Sequence, residues 1–264
     1  RFKGSGNPMK TRDFGEWQHD QLDRMLTRIY VQAKAIQPDL LITASPFGIA
    51  DKSRINDYYR FSDAFGFGVR PETWAKKGIV DALTPQIYWN LDEYPPSRPN
   101  YAQLVRDWMA HNETGIPIWP GSNLRRGQDL LPWQQRNAAY CRAVGLDGVT
   151  MFSYSKASRS QWAEDAKQIF PNKARVPKPK HLKEGLGQIM GHIRNAQGKP
   201  VADAWVRIKG RNYIYLTSGD GFFGIPHIPA GEHTLFFKDP SGEVHEKKVV
   251  VSSDRTATVE VKVD

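Results

Sequence analysis

The run VDALTPQIYWN, residues 80–90, decides how the first part of the chain is read. Its opening is short and almost wholly apolar, the pattern of a strand covered on both faces, and its close turns polar and aromatic. Upstream, Leu22, Met25, Leu26, Ile29, Tyr30, Ala33 and Ile36 recur at helical spacing between Phe14 and Gln37, and Pro38 ends that helix. DLLITASPFG, residues 39–48, repeats the buried-strand pattern with a Ser-Pro stop. A long loop rich in Tyr, Phe and Gly and a helical turn at Pro71–Lys77 lead back to the starting run.

Downstream the alternation continues. A helix over Tyr101–His111 carries Leu104, Val105 and Trp108 on one side, and Ile116–Pro120 reads as a third strand. A helix over Leu131–Val144, a strand in GVTMFSYS (148–155) and a last helix over Ser160–Ile169 complete the series. Buried strands alternating with helices predict a parallel sheet with right-handed crossovers. Each strand ends in polar or aromatic residues: Ser45, then Gln86, Tyr88 and Trp89, then Trp119, then Ser153 and Tyr154. In a (β/α)₈ barrel that edge carries the active site, but closure needs eight strands and only four are present.

The composition changes at Pro171. Residues 171–185 form a basic, proline-containing linker whose densest run is KARVPKPKHLK, from Lys173 to Lys183. Beyond it the helical period gives way to short alternating runs separated by turn signals such as Ser-Gly-Asp-Gly at 218–221 and Pro-Ala-Gly at 229–231. Roughly seven short strands in about 80 residues predict an all-β sandwich over residues 186–264.

The bulk figures agree with a folded, water-exposed chain: of 264 residues, 39% are hydrophobic and 25% charged. No stretch approaches the roughly 20 apolar residues of a membrane span. The chain opens RFKGSGNPMK, without Met or an apolar h-region, so it reads as an internal piece of a longer protein. Net charge is +9, but it is spread: 22 Lys and Arg face 18 Asp and Glu over residues 1–170, and 15 face 10 over residues 171–264. No specific nucleic-acid partner is read from it. Cys141 stands alone inside a helical pattern, which excludes an intramolecular disulfide and reads as a buried structural thiol.

The order of ITASPFGI, a Trp-containing helical turn, DALTPQIYWN and GVTMFSYS resembles the family-10-like glycosyl hydrolases of bacteria over residues 10–170. That resemblance implies a partial (β/α)₈ TIM-type barrel, residues 1–170, holding strands five to eight. It also implies a secreted, periplasmic or cell-surface protein that hydrolyses polysaccharide or cell-wall glycan without a cofactor. The family carries an acidic pair just past its fourth strand, in a Phe-Asp-Asp-Tyr-type motif that is absent here, so the catalytic residues stay unassigned and this stretch alone is expected to be inactive. Residues 187–263, with GHIRNAQGKPVADAWVRIKG and SGDGFFGIPHIPAGEHTLFF, resemble the carboxypeptidase regulatory-like modules, which implies an Ig- or transthyretin-like β-sandwich acting as a spacer or adhesion unit.

Glycoside hydrolysis ordinarily needs two carboxylates. Asp51, Asp92 and Glu93 lie just beyond strand ends, but each reads first as a solvated loop charge and none is named catalytic, and Asp63 and Asp81 read as structural. The aromatics argue better. Sugar rings present C–H faces that stack on Tyr88, Trp89, Trp119 and Tyr154, while Gln86 and Ser45 offer donors and acceptors for hydroxyls. The same rings would also serve simply to fill a barrel top. Trp17, Trp74, Trp108, Trp133 and Trp162 read as helix-face packing. The seven His form no metal motif, GFGVR at 66–70 is no phosphate loop, and Ser122 sits in no nucleophile elbow, so neither metal nor cofactor is expected. Asp220 reads as turn chemistry. Two rivals stay open: a non-catalytic carbohydrate-binding or adhesion protein with a degenerate barrel, and an anionic-polymer binder whose affinity would fall with salt. Half a barrel would expose two sheet edges, which predicts poor solubility or pairing with a second copy.

Overall fold

The computed structural model describes residues 14–55, 61–91, 99–123, 131–153, 159–175, 177–178 and 180–263. It is a mixed helix and sheet protein with two two-stranded sheets, one four-stranded sheet and one three-stranded sheet. Contacts divide it into two compact units, one of Arg1–Leu41, Lys77–Ile79 and Lys178–Asp264, the other of Ile42–Lys76 and Val80–Pro177.

The second of these is the parallel unit. Strand β1 (Thr43–Ala44) pairs in parallel with β2 (Ala82–Leu83), and β3 (Gly121–Asn123) pairs in parallel with β4 (Thr150–Phe152). Parallel bridges at Phe47–Gln86 and Leu83–Ile118 extend the order, with Trp119 N–H donating to Leu83 O at 2.8 Å and Gly121 N–H to Pro85 O at 2.7 Å. Helices α2 (Pro71–Lys77), α3 (Tyr101–Ala110), α4 (Leu131–Ala143) and α5 (Arg159–Ile169) lie between successive strands or after the last. Two glycines permit the close approach. A Cβ on Gly48 would stand 2.4 Å from Gln86 O, and one on Gly121 would stand 2.9 Å from Pro85 O.

Two expectations need correction here. The inner strand β2 is buried on both faces, but Thr43 in β1, Ser45 just after it and Phe152 in β4 are exposed. Among the described residues each outer strand has one neighbour, so one side lacks cover. The third strand also runs further than its Pro120 stop suggested: Pro cannot donate to a ladder, but its carbonyl accepts from Thr150 N–H at 3.0 Å, and the regular pairing follows at 121–123.

The other unit is built on strands β5 (Leu186–Asn195), β6 (Trp205–Ile208), β7 (Tyr215–Leu216), β8 (Phe222–Pro229), β9 (Gly231–Lys238), β10 (Val244–Val251) and β11 (Thr256–Val263). One sheet has the order β10-β9-β6-β7 and the other β11-β5-β8, with β11 parallel to β5 and the remaining pairs antiparallel. Alternate residues of both sheets meet in a single cluster that includes Ile189, Ile193, Phe223, Ile225 and Val261 from one and Val206, Ile208, Leu235, Phe237 and Val251 from the other. A short helix, α6 (Lys180–Glu184), lies within the expected linker.

Helix α1 (Phe14–Ile36) groups by contact with these sheets, whereas the sequence suggested that it belonged with the parallel strands. It covers the outer face of β5 and β8, which is why β8 is buried along nearly its whole length. The face it buries is mixed and takes in only part of its apolar stripe. His19, Asp23, Tyr30, Val31 and Lys34 are buried, while Met25, Ile29 and Ile36 are 50%, 46% and 87% exposed. Partners make this tolerable: Lys77 pairs with Asp23, Arg24 with Asp203 at 2.7 Å, Tyr30 Oη with His227 Nε2 at 3.2 Å, and Lys34 Nζ donates to Leu40 O.

Candidate functional site

The C-terminal ends of β1 and β2, with the loops that follow them and the end of β4, gather the chemistry of the parallel unit. Ser45 Oγ donates to Thr84 O at 2.9 Å, and Gln86 Nε2 donates to Ser45 O at 2.9 Å. This holds the Gln86 amide across the β1–β2 edge and leaves its carbonyl oxygen without a donor among the described residues. Tyr88 is half-buried and stacks on Phe152, with centroids 5.5 Å apart and planes at 26°. Burial pushes the Tyr88 phenol up, so it stays protonated at neutral pH. Trp89 meets Phe61 edge to face at 5.5 Å. Phe47 stacks on Phe67 at 5.1 Å.

Ser45, Gln86, Tyr88 and Trp89 thus share one edge. Trp119 does not join them. Its indole Nε1 donates to Asp147 Oδ1 at 3.0 Å, and its ring lies against Gly148, where an added Cβ would meet Trp119 Cδ1 at 2.5 Å. Because the third strand continues to Asn123, Trp119 stands just before β3 and not at a strand's end. Tyr154, Asp92 and Glu93 lie outside the described residues. Sequence reasoning missed the phenylalanines: Phe47, Phe61, Phe67 and Phe152 are 39%, 37%, 60% and 46% exposed. The Tyr-, Phe- and Gly-rich character of the long loop was the signal for two of them, since a Phe-rich loop has no core of its own to fill.

The described carboxylates do not form an acid–base pair at this edge. Burial pushes the Asp51 carboxyl up, but Ser53 N–H and Oγ at 2.9 and 2.6 Å, with Arg54, outweigh it and hold the group down. Such a group is a cap for the short helical turn Lys52–Arg54, and a proton donor needs the opposite shift. Asp63 is buried and accepts from Lys52 N–H at 3.3 Å, and Asp81 accepts from Ile42 N–H at 2.8 Å at the other end of its strand. Asp107 is raised by burial against the pull of Arg54 and His111, but it belongs to α3 and to an ion network with Arg54 and Glu72.

Elsewhere, Asp239, Glu243 and His245 bring ligand atoms within 4.8 Å of one another on the β9–β10 turn. Asp239 Oδ1 already accepts from Ser241 Oγ at 2.6 Å and from Gly242 and Glu243 N–H at 2.9 Å, which is turn chemistry. Cys141 is buried and 3.3 Å from Tyr101 Oη, and burial raises its thiol, so the reading as a structural cysteine stands. No helix among the described residues is long and apolar enough to cross a membrane.

An α/β region of parallel strands with exposed aromatics at their C-terminal ends, followed by a sheet domain, fits a glycosyl hydrolase-like protein. Residues 3–119 match the family model described as Glycosyl hydrolase-like 10, and that match supports a carbohydrate-related function. Among solved structures, chitinase ChiW from Paenibacillus sp. str. FPU-7 is 9% identical, with 91% of this chain and 39% of that chain covered and a TM-score of 0.40. Chitinase ChiA74 from Bacillus thuringiensis is 10% identical, with 89% and 54% covered and a TM-score of 0.39. A Bacteroides uniformis protein described as carbohydrate binding is 20% identical, with 29% and 40% covered and a TM-score of 0.23. The chain spans less than two thirds of each of these three. No curated protein matches it significantly.

Proposed function

We propose that the chain is part of a glycoside hydrolase acting on polysaccharide or cell-wall glycan, and that the edge formed by Ser45, Gln86, Tyr88 and Trp89 is one wall of its sugar cleft. The observation that carries the reading is the set of aromatic pairs, Tyr88–Phe152, Trp89–Phe61 and Phe47–Phe67, each with at least one exposed ring, at or beyond the strand ends of a region matching a glycosyl hydrolase-like family. Stacked and edge-to-face rings give a sugar's C–H face a firm apolar surface, and the Gln86 carbonyl beside them accepts from a hydroxyl. On this proposal the parallel strands are the fifth to eighth of a (β/α)₈ barrel, the catalytic carboxylates lie outside these residues, and the sheets of residues 186–264 are a carboxypeptidase regulatory-like sandwich. A secreted, periplasmic or cell-surface location follows from the substrate. A second reading is favoured by the absence of a poised acid pair among the described residues: a non-catalytic glycan-binding protein.

Titration calorimetry with cellohexaose, xylohexaose and the hexamer of N-acetylglucosamine tests the cleft, and reducing-end release on cell-wall and plant glycans tests hydrolysis. Loss of a stacking ring in Tyr88→Ala removes about 1.4 kcal/mol, a tenfold weaker Kd. That affinity should be nearly constant between low and high salt, because stacking on neutral sugars releases no counterions. Steep salt dependence, or equal binding by wild type and Tyr88→Ala, refutes the cleft. Release of reducing ends by this chain alone would refute the location given to the carboxylates.

A further inference from the structure

The sheet unit contains a cavity of about 280 Å³ bounded by α1, the turn Lys77–Ile79 and the segment from Tyr213 to Gly224. Its wall combines aromatic and polar residues. Tyr213 and Tyr215 meet edge to face, 4.6 Å between centroids and 62° between planes. Tyr213 is 42% exposed at the rim, and the neighbouring Ile214 is 40% exposed. Asp20, Asp23, Arg24, Lys77 and Ser218 supply the polar side.

Charge balance within the wall narrows the ligand. Lys77 pairs with Asp23 and also lies 5.7 Å from the Tyr213 ring, and Arg24 pairs with Asp203 at 2.7 Å. An anionic ligand would have to displace one of these carboxylates in a wall that also carries Asp20, and an apolar one would strip water from the polar groups with no return. A neutral polyhydroxylated ring does neither. It stacks a C–H face on Tyr213 and exchanges water's hydrogen bonds for those of the wall. Tyr215 lines the cavity while packing against the core of the sheets; its hydroxyl has no hydrogen-bond partner among the described residues, and burial raises the phenol so that it remains both donor and acceptor. The volume sits at the lower end of small-molecule sites, about 300 Å³, which suits a single sugar unit with its neighbours leaving over the exposed rim.

We propose that this cavity is a second glycan site, binding one pyranose unit of a neutral polysaccharide with its ring on Tyr213 and its hydroxyls on Tyr215, Ser218 and Asp20. It rests on the carbohydrate reading above but uses none of the strand-end residues.

The test is calorimetry and amide NMR on the full chain, wild type, Tyr88→Ala, Tyr213→Ala and Tyr215→Phe, with cellohexaose, xylohexaose and the hexamer of N-acetylglucosamine. Tyr215→Phe keeps the packing and removes only the hydroxyl, so a fold defect cannot account for its result. At least one hexamer should still bind Tyr88→Ala and perturb the amides of Tyr213, Tyr215 and Ser218. That binding should weaken about tenfold in Tyr213→Ala and about fivefold in Tyr215→Phe, for a stacking and a hydrogen-bond contribution of about 1.4 and 1 kcal/mol. Binding to wild type that vanishes in Tyr88→Ala and is unchanged in Tyr213→Ala overturns the second site and leaves the cleft standing. Binding that survives Tyr88→Ala unchanged and is lost in Tyr213→Ala supports the second site and overturns the cleft. No binding of any hexamer to wild type overturns both.

Discussion

Replacing Asp203 by alanine, glycine and asparagine separates two contributions to the anchoring of α1 on the sheets. Asp203 sits at φ 58°, in the left-handed region, and its Oδ1 accepts from Arg24 Nη1 at 2.7 Å. The pair is mostly buried, with side-chain exposures of 12% and 25%. Arg24 Nη1 also donates to Thr217 O at 2.8 Å, and Thr217 ties the same turn through Ala204 N–H at 2.9 Å and Val201 O at 2.7 Å. A hydrogen bond to a charged group contributes about 1.5–3 kcal/mol, and an alanine in the left-handed region costs about 1 kcal/mol. Asp203→Ala loses both, about 3 kcal/mol in all. Asp203→Gly loses the bond but not the backbone fit, about 2 kcal/mol, and Asp203→Asn keeps an acceptor oxygen and tolerates φ > 0, about 1 kcal/mol. Urea unfolding followed by tryptophan fluorescence and far-UV circular dichroism reads these values. If glycine is as damaging as alanine, the backbone argument fails. If all three stay within about 0.5 kcal/mol of wild type, α1 is not held by this pair.

Gly48→Ala should destabilise the parallel unit by at least about 2 kcal/mol, because the new Cβ meets backbone at 2.4 Å; a melt within a degree of wild type would contradict the packing. Desolvation raises Asp220 and Asp239, but Arg28 and Phe222 N–H on the first, and Ser241 with the turn N–H groups on the second, outweigh it and hold both carboxyls low. Their folded values lie below the unfolded value of about 3.9, so their stabilisation is present above about pH 4 and is lost as pH falls through the depressed values. The double variant Asp220→Asn, Asp239→Asn should therefore show a flatter acid limb in thermal melts between about pH 4 and pH 2, and an unchanged limb would refute the assignment. Cys141, buried with a raised thiol, should react with a thiol reagent only after denaturation; prompt labelling of the native chain would contradict its burial.

Much of the secondary structure was legible because it depends on local periodicity. The helix at Phe14–Ile36, the strand run at Ala82–Leu83 and the alternating runs after Leu186 could be read residue by residue. The strand-end position of Tyr88 and Trp89 followed from the same pattern, since an apolar run that turns aromatic marks where a strand leaves its sheet. The partners of those rings did not. Phe152 and Phe61 lie far along the chain in either direction, and nothing in a local window says that they meet Tyr88 and Trp89. Trp119 shows the reverse: a proline signals a strand's stop in the local pattern, but the Pro120 carbonyl still has a ladder partner in Thr150.

By itself the sequence determined what kind of element most segments form. It put the helix–strand alternation before Pro171 and the β pattern after it, and it marked the aromatic strand end at 86–89. Which surface each segment meets was decided only in three dimensions. Helix α1 buries Asp23, Tyr30 and Lys34 and leaves Met25, Ile29 and Ile36 toward solvent, a pattern that its hydrophobic periodicity predicted only for Tyr30. The reason is that a polar face can be buried when every group finds a partner, here Lys77, His227 and the Leu40 carbonyl. Such partners are supplied by residues distant in sequence, so their presence is a property of the tertiary fold alone.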